Sequence, residues 1–192
     1  MTVDPVRGLR ADARRNVERL VEVAAQVFAE QGPEAPLTEI ARAAGVGTAT
    51  LYRRFPTRED LLAAVYAGHV SALAGRAEEL AASPAAPVAA LVSWLNEFAG
   101  LLSEQRGMKG LLAGRYEDSG TLFASCRRRL QIAAEALLRP AQATGLIRAD
   151  VTAERSLILV HAVVIAASRA GEDCGEVKHL IELLIHGFRP AD

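Results

Sequence analysis

The sequence predicts an all-α chain, and three observations predict it. Apolar residues recur at helical spacing in segment after segment, at Val17, Leu20, Val21, Ala24 and Phe28 near the start and at Val177, Leu180, Ile181, Leu184 and Phe188 near the end. No stretch of strict alternation competes for a strand. Ala and Leu dominate while aromatics make up 5% of the residues, and small, straight-chain side chains favour helices over the β-branched and aromatic mix of strands.

Taken in order, the first helical stripe covers Val17 to Phe28, and two short patterns joined by a tight turn follow between 37 and 56. Further helices are expected over 57–80, 88–105, 122–139 and 152–170, and the last stripe covers Val177 to Phe188. Pro33, Pro36, Pro56, Pro84 and Pro87 fall between these segments, where a missing N–H does least harm. Pro140 instead sits near the end of a helical pattern, which it should end or kink before Gly145. The break in character gives an N-terminal domain over residues 1–56 and a C-terminal domain over 57–192. The chain is 51% hydrophobic and 23% charged, enough apolar surface for a sizeable core and too much for global disorder.

A net charge of -1 supplies no global attraction to nucleic acid or anionic lipid, so any such binding must come from a local cluster. One exists in the window LTEIARAAGVGTATLYRRFPTR, residues 37–58. Ile40, Ala41 and Ala44 put an apolar stripe on a helix of about two turns, and small Ala41 lets a second helix cross it closely. Gly45 suits a left-handed helix end, Val46 plugs the turn, and Thr48 is placed to cap the next helix, whose buried side carries Leu51 and Phe55. The remaining positions are Thr48, Ala49, Thr50, Tyr52, Arg53 and Arg54. Their hydroxyls and phenol suit phosphates or base edges, their methyls a thymine methyl, and their guanidinium groups guanine or phosphate. From Gly45 through Arg58 there are three arginines and no acidic residue. Thr57 with Asp60 three residues on forms an N-cap pattern that leaves Arg58 in the first turn of the following helix. Arg7, Arg10, Arg14 and Arg15 could form a basic N-terminal arm, although Asp4 and Asp12 lie among them.

In the order of its pieces and in the run AGVGTATLYRRFPTREDLL, the chain resembles the DNA-binding domain of TetR-type transcriptional repressors over about residues 12–68. The resemblance implies that Gly47, Thr48, Ala49, Thr50, Tyr52, Arg53 and Arg54 belong to a recognition helix on double-stranded DNA, with Arg58 on phosphate. Pro36 departs from the family's hydroxyl residue at the start of the first motif helix, and Thr38 offers a replacement hydroxyl. The resemblance further implies a C-terminal domain that forms a homodimer, reads an inverted-repeat operator and encloses a small-molecule effector. Leu157, Val160, Val164 and Ala167 with Val177, Leu180, Ile181, Leu184 and Phe188 are candidates for the dimer face, and a core within one chain would produce the same stripes. Candidate pocket residues are Tyr66, Trp94, Phe98, Met108, Phe123 and His161, with the polar stretch Gly114–Gly120 beside them.

Other signals are set aside. His179, Glu182 and His186 share a helix face but read as its polar edge, and Arg127, Arg128 and Arg129 read as a solvated face. No P-loop, Rossmann glycine pattern, GxSxG, HExxH or paired-Cys set is present, so no catalytic residue, metal or cofactor is expected. Cys126 and Cys174 without a secretory leader indicate a reducing, cytoplasmic setting, and Leu157 to Ala167 falls short of the roughly 20 apolar residues that span a bilayer. The expected function is a transcriptional regulator, a repressor released from its operator by a small molecule. The alternative from another class is an all-α ligand carrier or enzyme with a vestigial motif.

Overall fold

The computed structural model describes residues 5–82, 86–104, 122–171 and 174–189, and they are helical throughout, with no strand among them. The helices are α1 (Pro5–Gln31), α2 (Leu37–Ala43), α3 (Thr48–Arg54), α4 (Arg58–Ala81), α5 (Pro87–Glu104), α6 (Leu122–Ala143), α7 (Ala153–Ala170) and α8 (Cys174–His186). Backbone contacts divide them into two compact units, one ending at Gly68 and the other beginning at His69, so the division lies inside α4 beyond the boundary read from the sequence. Met108, the stretch 114–120 and Pro84 lie outside the described residues.

The first unit is small and its core is correspondingly lean. Leu20, Ala24 and Phe28 form the buried stripe of α1, joined by Leu37, Ile40 and Ala41 of α2, Leu51 of α3, and Leu61, Leu62 and Val65 of α4. Each large side chain in that set contributes about 1.5–3 kcal/mol by leaving water. Helix α1 starts at Pro5, so the backbone of Arg7, Arg10, Arg14 and Arg15 is helical and not an extended arm.

In the second unit α5 packs on α6, α7 and α8. The Trp94 ring is fully buried, donates its indole N–H to the Leu73 carbonyl at 2.8 Å and stacks on Phe98 with centroids 6.0 Å apart. Helix α6 buries a row from Phe123 through Cys126, Leu130, Ala134 and Leu138 to Ala141. Burial pushes the Cys126 thiol up from its ordinary pKa, as expected of a small neutral core side chain. Helix α6 holds Pro140 within its last turn and ends at Ala143, before Gly145. A proline removes a single N–H and clashes only backwards, so a helix can run on for one turn, and here Gln142 in that turn donates its side-chain amide to the carbonyls of Arg148 and Val151. Helix α7 is capped by Thr152, whose hydroxyl accepts the Arg155 N–H at 3.2 Å, and buried Ser156 donates back to the Thr152 carbonyl.

The stripes expected to form the dimer face are corrected here. Leu157, Val160, Val164 and Ala167 on α7, and Val177, Ile181 and Phe188 at α8, are buried within the chain, while Leu180 and Leu184 are half-buried. A second row lies on the outside of the same helices: Ile158 (59% exposed), Leu159 and Ile165 on α7, and Leu183 on α8. Both sides of α7 are apolar, so periodicity finds a stripe without indicating which one faces the core.

Candidate nucleic-acid interface

The site is built at the end of α2. The Val46 N–H bonds to the Ala41 carbonyl at 2.9 Å and the Gly45 N–H to Arg42 at 3.1 Å, the paired reverse bonds of a Schellman turn. That turn needs a left-handed residue, and Gly45 supplies it at φ +68°. Gly47 then takes an extended conformation (φ -63°, ψ 139°), and its carbonyl accepts the N–H groups of Thr50 and Leu51. Gly47, not Thr48, is therefore the N-cap of α3, and no side chain caps the helix. The Thr48 hydroxyl is correspondingly displaced from the capping position to the first helical turn.

Helix α3 rests on the unit through Leu51, and Phe55 is buried just beyond its end. Gly47, Thr48, Ala49, Thr50, Tyr52, Arg53 and Arg54 are all exposed, Tyr52 at 46%. Exposure of the whole remainder places hydroxyl, phenol, methyl and guanidinium groups together on one short helix, the set from which base and phosphate contacts are made. The Arg54 guanidinium lies 5.9 Å from the centroid of the Phe55 ring, which braces its stem beside the core. Thr38 is exposed on the first turn of α2, whose N-cap is Pro36 rather than a hydroxyl residue, so the proline stands one position earlier than the first helical place it favours.

The start of α4 closes the site. The Thr57 N–H and hydroxyl both donate to the Asp60 carboxylate, at 3.0 and 2.7 Å, and the Asp60 N–H returns to the Thr57 hydroxyl at 3.2 Å. This is the reciprocal cap that the spacing predicts. Arg58 turns inward: its Nη1 donates to the carbonyls of Pro33 at 2.8 Å and Ala35 at 2.6 Å.

Tyr66 is half-buried in the first unit, and in the second Trp94, Phe98 and Phe123 are core side chains while His161 is half-buried. Residues with no conspicuous sequence signal line an open groove of about 500 Å³ between α4 and α5: His69, Ala72, Leu73, Arg76, Glu97, Gly100 and Leu101. Arg76 there donates to Glu79 and Glu97, bonds that raise its pKa above the ordinary value, and Ser93 also donates to Glu97. These residues stand on two consecutive helices, and no sequence pattern marks which of their sides meet. No helix of the described residues is long and apolar enough to cross a membrane.

Comparison with known proteins agrees with this geometry. Residues 20–65 match the family described as bacterial regulatory proteins, tetR family, and residues 86–190 match the C-terminal domain described as transcriptional regulator SbtR-like. The HTH-type transcriptional repressor LfrR of Mycolicibacterium smegmatis is 40% identical over 80 residues, a match covering 42% of this chain and 42% of LfrR. The chain is thus similar to that curated relative over less than half its length. Among solved structures, the TetR transcriptional regulator SCO0520 from Streptomyces coelicolor is 32% identical, with 92% of this chain and 99% of that one covered at a TM-score of 0.74. The TetR transcription regulatory protein from Mycobacterium vanbaalenii is 30% identical, with 95% and 99% covered at a TM-score of 0.69.

Proposed function

The chain belongs to the TetR family of bacterial transcriptional regulators, and on that premise we propose that it is a non-enzymatic, homodimeric repressor that reads an inverted-repeat operator and releases it when a small molecule binds. The observation that carries the DNA-reading part is α3, which exposes all of its polar and basic side chains and spends only Leu51 on packing. In this reading α3 enters the major groove. Tyr52, Arg53 and Arg54 bond to bases and phosphates, Thr48 and Thr50 donate or accept at its start, and Ala49 offers its methyl to thymine. Gly47 lets the backbone come close, and Thr38 reaches phosphate from α2.

One α3 recognises too few bases to select a site, and two related by a twofold axis, about 34–36 Å apart, read two half-sites of a palindrome. The exposed row of Ile158, Leu159 and Ile165 on α7 with Leu183 on α8 supports a self-complementary face for such a pair, since four large apolar side chains otherwise stand in water. In this reading the effector occupies the second unit, and the groove between α4 and α5 lies in the volume range of small-molecule sites, about 300–1,000 Å³. Release follows if the effector binds the DNA-incompetent arrangement more tightly, and reciprocity then requires DNA to weaken effector binding by the same factor.

The test is fluorescence anisotropy of labelled DNA from the intergenic region beside the gene, titrated with the purified chain at several salt concentrations and with random DNA as control. Saturable binding that prefers this DNA and falls steeply with salt is expected, because counterions released from phosphates dominate affinity. A folded, dimeric protein without preference for that DNA or for any fragment in a genome-wide selection overturns the reading.

A further inference from the structure

We propose that Arg58 is a positioning residue of the DNA-reading unit: its guanidinium clamps the corner between α1 and α2 to the start of α4 and so fixes where α2, and α3 after it, presents its exposed face. The inference rests on the DNA-binding reading above, and it gives Arg58 a role other than the phosphate contact its place in a basic window suggests.

Three consecutive residues of the corner converge on this one side chain. The Pro33 and Ala35 carbonyls accept from Nη1 at 2.8 and 2.6 Å, and the Glu34 carboxylate lies 3.9 Å from Nε. A guanidinium Nη carries two hydrogens, so both of those on Nη1 are committed to carbonyl oxygens. The side chain is 24% exposed, and a charged donor on a neutral carbonyl makes one of the stronger hydrogen bonds where water is partly excluded.

The acceptors sit where they matter to the site. Ala35 is buried, and the next residue, Pro36, is the N-cap whose carbonyl receives the Glu39 and Ile40 N–H groups, so holding the Ala35 carbonyl holds the origin of α2. From there α2 runs through the Schellman turn into α3 with little intervening chain, which transmits a displacement of α2 to the exposed face of α3. At the other end the clamp is anchored by the reciprocal bonds of Thr57 and Asp60, which fix the backbone from which Arg58 projects. Positioning by a single rigid fork suits arginine better than lysine, whose ammonium turns freely on a flexible stem.

The test uses the full-length chain, Arg58→Met and the milder Arg58→Lys, all held at a temperature where circular dichroism shows each fully folded. Without DNA, amide exchange at Glu39 and Ile40 is expected to accelerate about tenfold or more in Arg58→Met, because local opening of the first turn of α2 no longer breaks the clamp. With operator DNA, affinity is expected to fall about tenfold or more while the slope of log affinity against log salt stays that of the unsubstituted chain, and Arg58→Lys is expected to recover only part of the loss. A slope shallower by about one in Arg58→Met, with full affinity in Arg58→Lys, identifies a phosphate contact and overturns the proposal. So does unchanged exchange, or unchanged affinity in the folded Arg58→Met. If the unsubstituted chain shows no preferential DNA binding, it is the DNA-reading assignment that falls, and the exchange rates alone still decide whether the clamp exists.

Discussion

Helices α3 and α7 solve opposite problems with the same geometry. Helix α3 commits one residue to the core and leaves a remainder that is polar and basic, so its buried and exposed sides differ in chemistry. Helix α7 buries Leu157, Val160 and Val164 and exposes Ile158, Leu159 and Ile165, so its two sides are chemically alike. A helix whose outer face is chemically distinct declares what it meets, whereas one that is apolar on both sides declares only that it meets something.

That contrast can be attacked from either end. The largest effect is expected inside the second unit, where Trp94→Ala removes a buried indole, its bond to Leu73 and its stacking on Phe98, and should cost about 3–5 kcal/mol in chemical denaturation. The outer side of α7 should behave differently. Ile165→Asp is expected to weaken self-association by about 2–4 kcal/mol in sedimentation equilibrium and to leave the helical signal intact; unfolding instead of dissociation would show that the outer row is core.

On α3 the dependence reverses. Arg53→Ala should lose about 1–3 kcal/mol of operator affinity with an unchanged melting temperature, and an unchanged affinity would remove Arg53 from the interface. Gly45→Ala tests the turn between the two motif helices. An added Cβ meets nothing within 4 Å, so its cost is conformational, about 1–2 kcal/mol for a left-handed L residue, and it should appear in stability as well as in DNA binding.

The smallest effect is at the loop before α7, where hydrogen bonds from Arg148 hold the Asp150 carboxyl below its ordinary pKa. A carboxylate depressed in the folded state contributes stability above its unfolded pKa and loses it as the pH falls through the folded value. The pair is exposed, so the stability change should be slight, and a carboxyl resonance of Asp150 titrating at or above the ordinary aspartate value would contradict the pairing.

Much of this was legible in the residues. Apolar period and proline punctuation place the helices after α1 within a few positions, while the start of α1 lies twelve residues before the stripe that marks it, and the spacing of Thr57 to Asp60 identifies a cap that forms as expected. The failures have physical causes. Thr48 has a side chain that can serve as a cap, yet glycine also caps, and the extended backbone at Gly47 takes the role. The Arg58 clamp was invisible because its acceptors are backbone carbonyls, which every residue possesses and which no sequence pattern advertises. Choosing the outer row of α7 over the inner one required the path of the neighbouring helices.

Trp94 makes the second unit visible by itself. It is the only tryptophan in the chain, and it lies in the second unit with its ring dry, stacked and hydrogen-bonded, whereas the first unit has none. Ultraviolet emission excited at the red edge of the protein band therefore reports on the second unit alone, as a short-wavelength signal that moves red when its core opens. A dye on the DNA reports the other unit. The chain thus carries its own two-colour assay, in which a small molecule that perturbs the tryptophan first and the dye second reveals the order of events in a single cuvette.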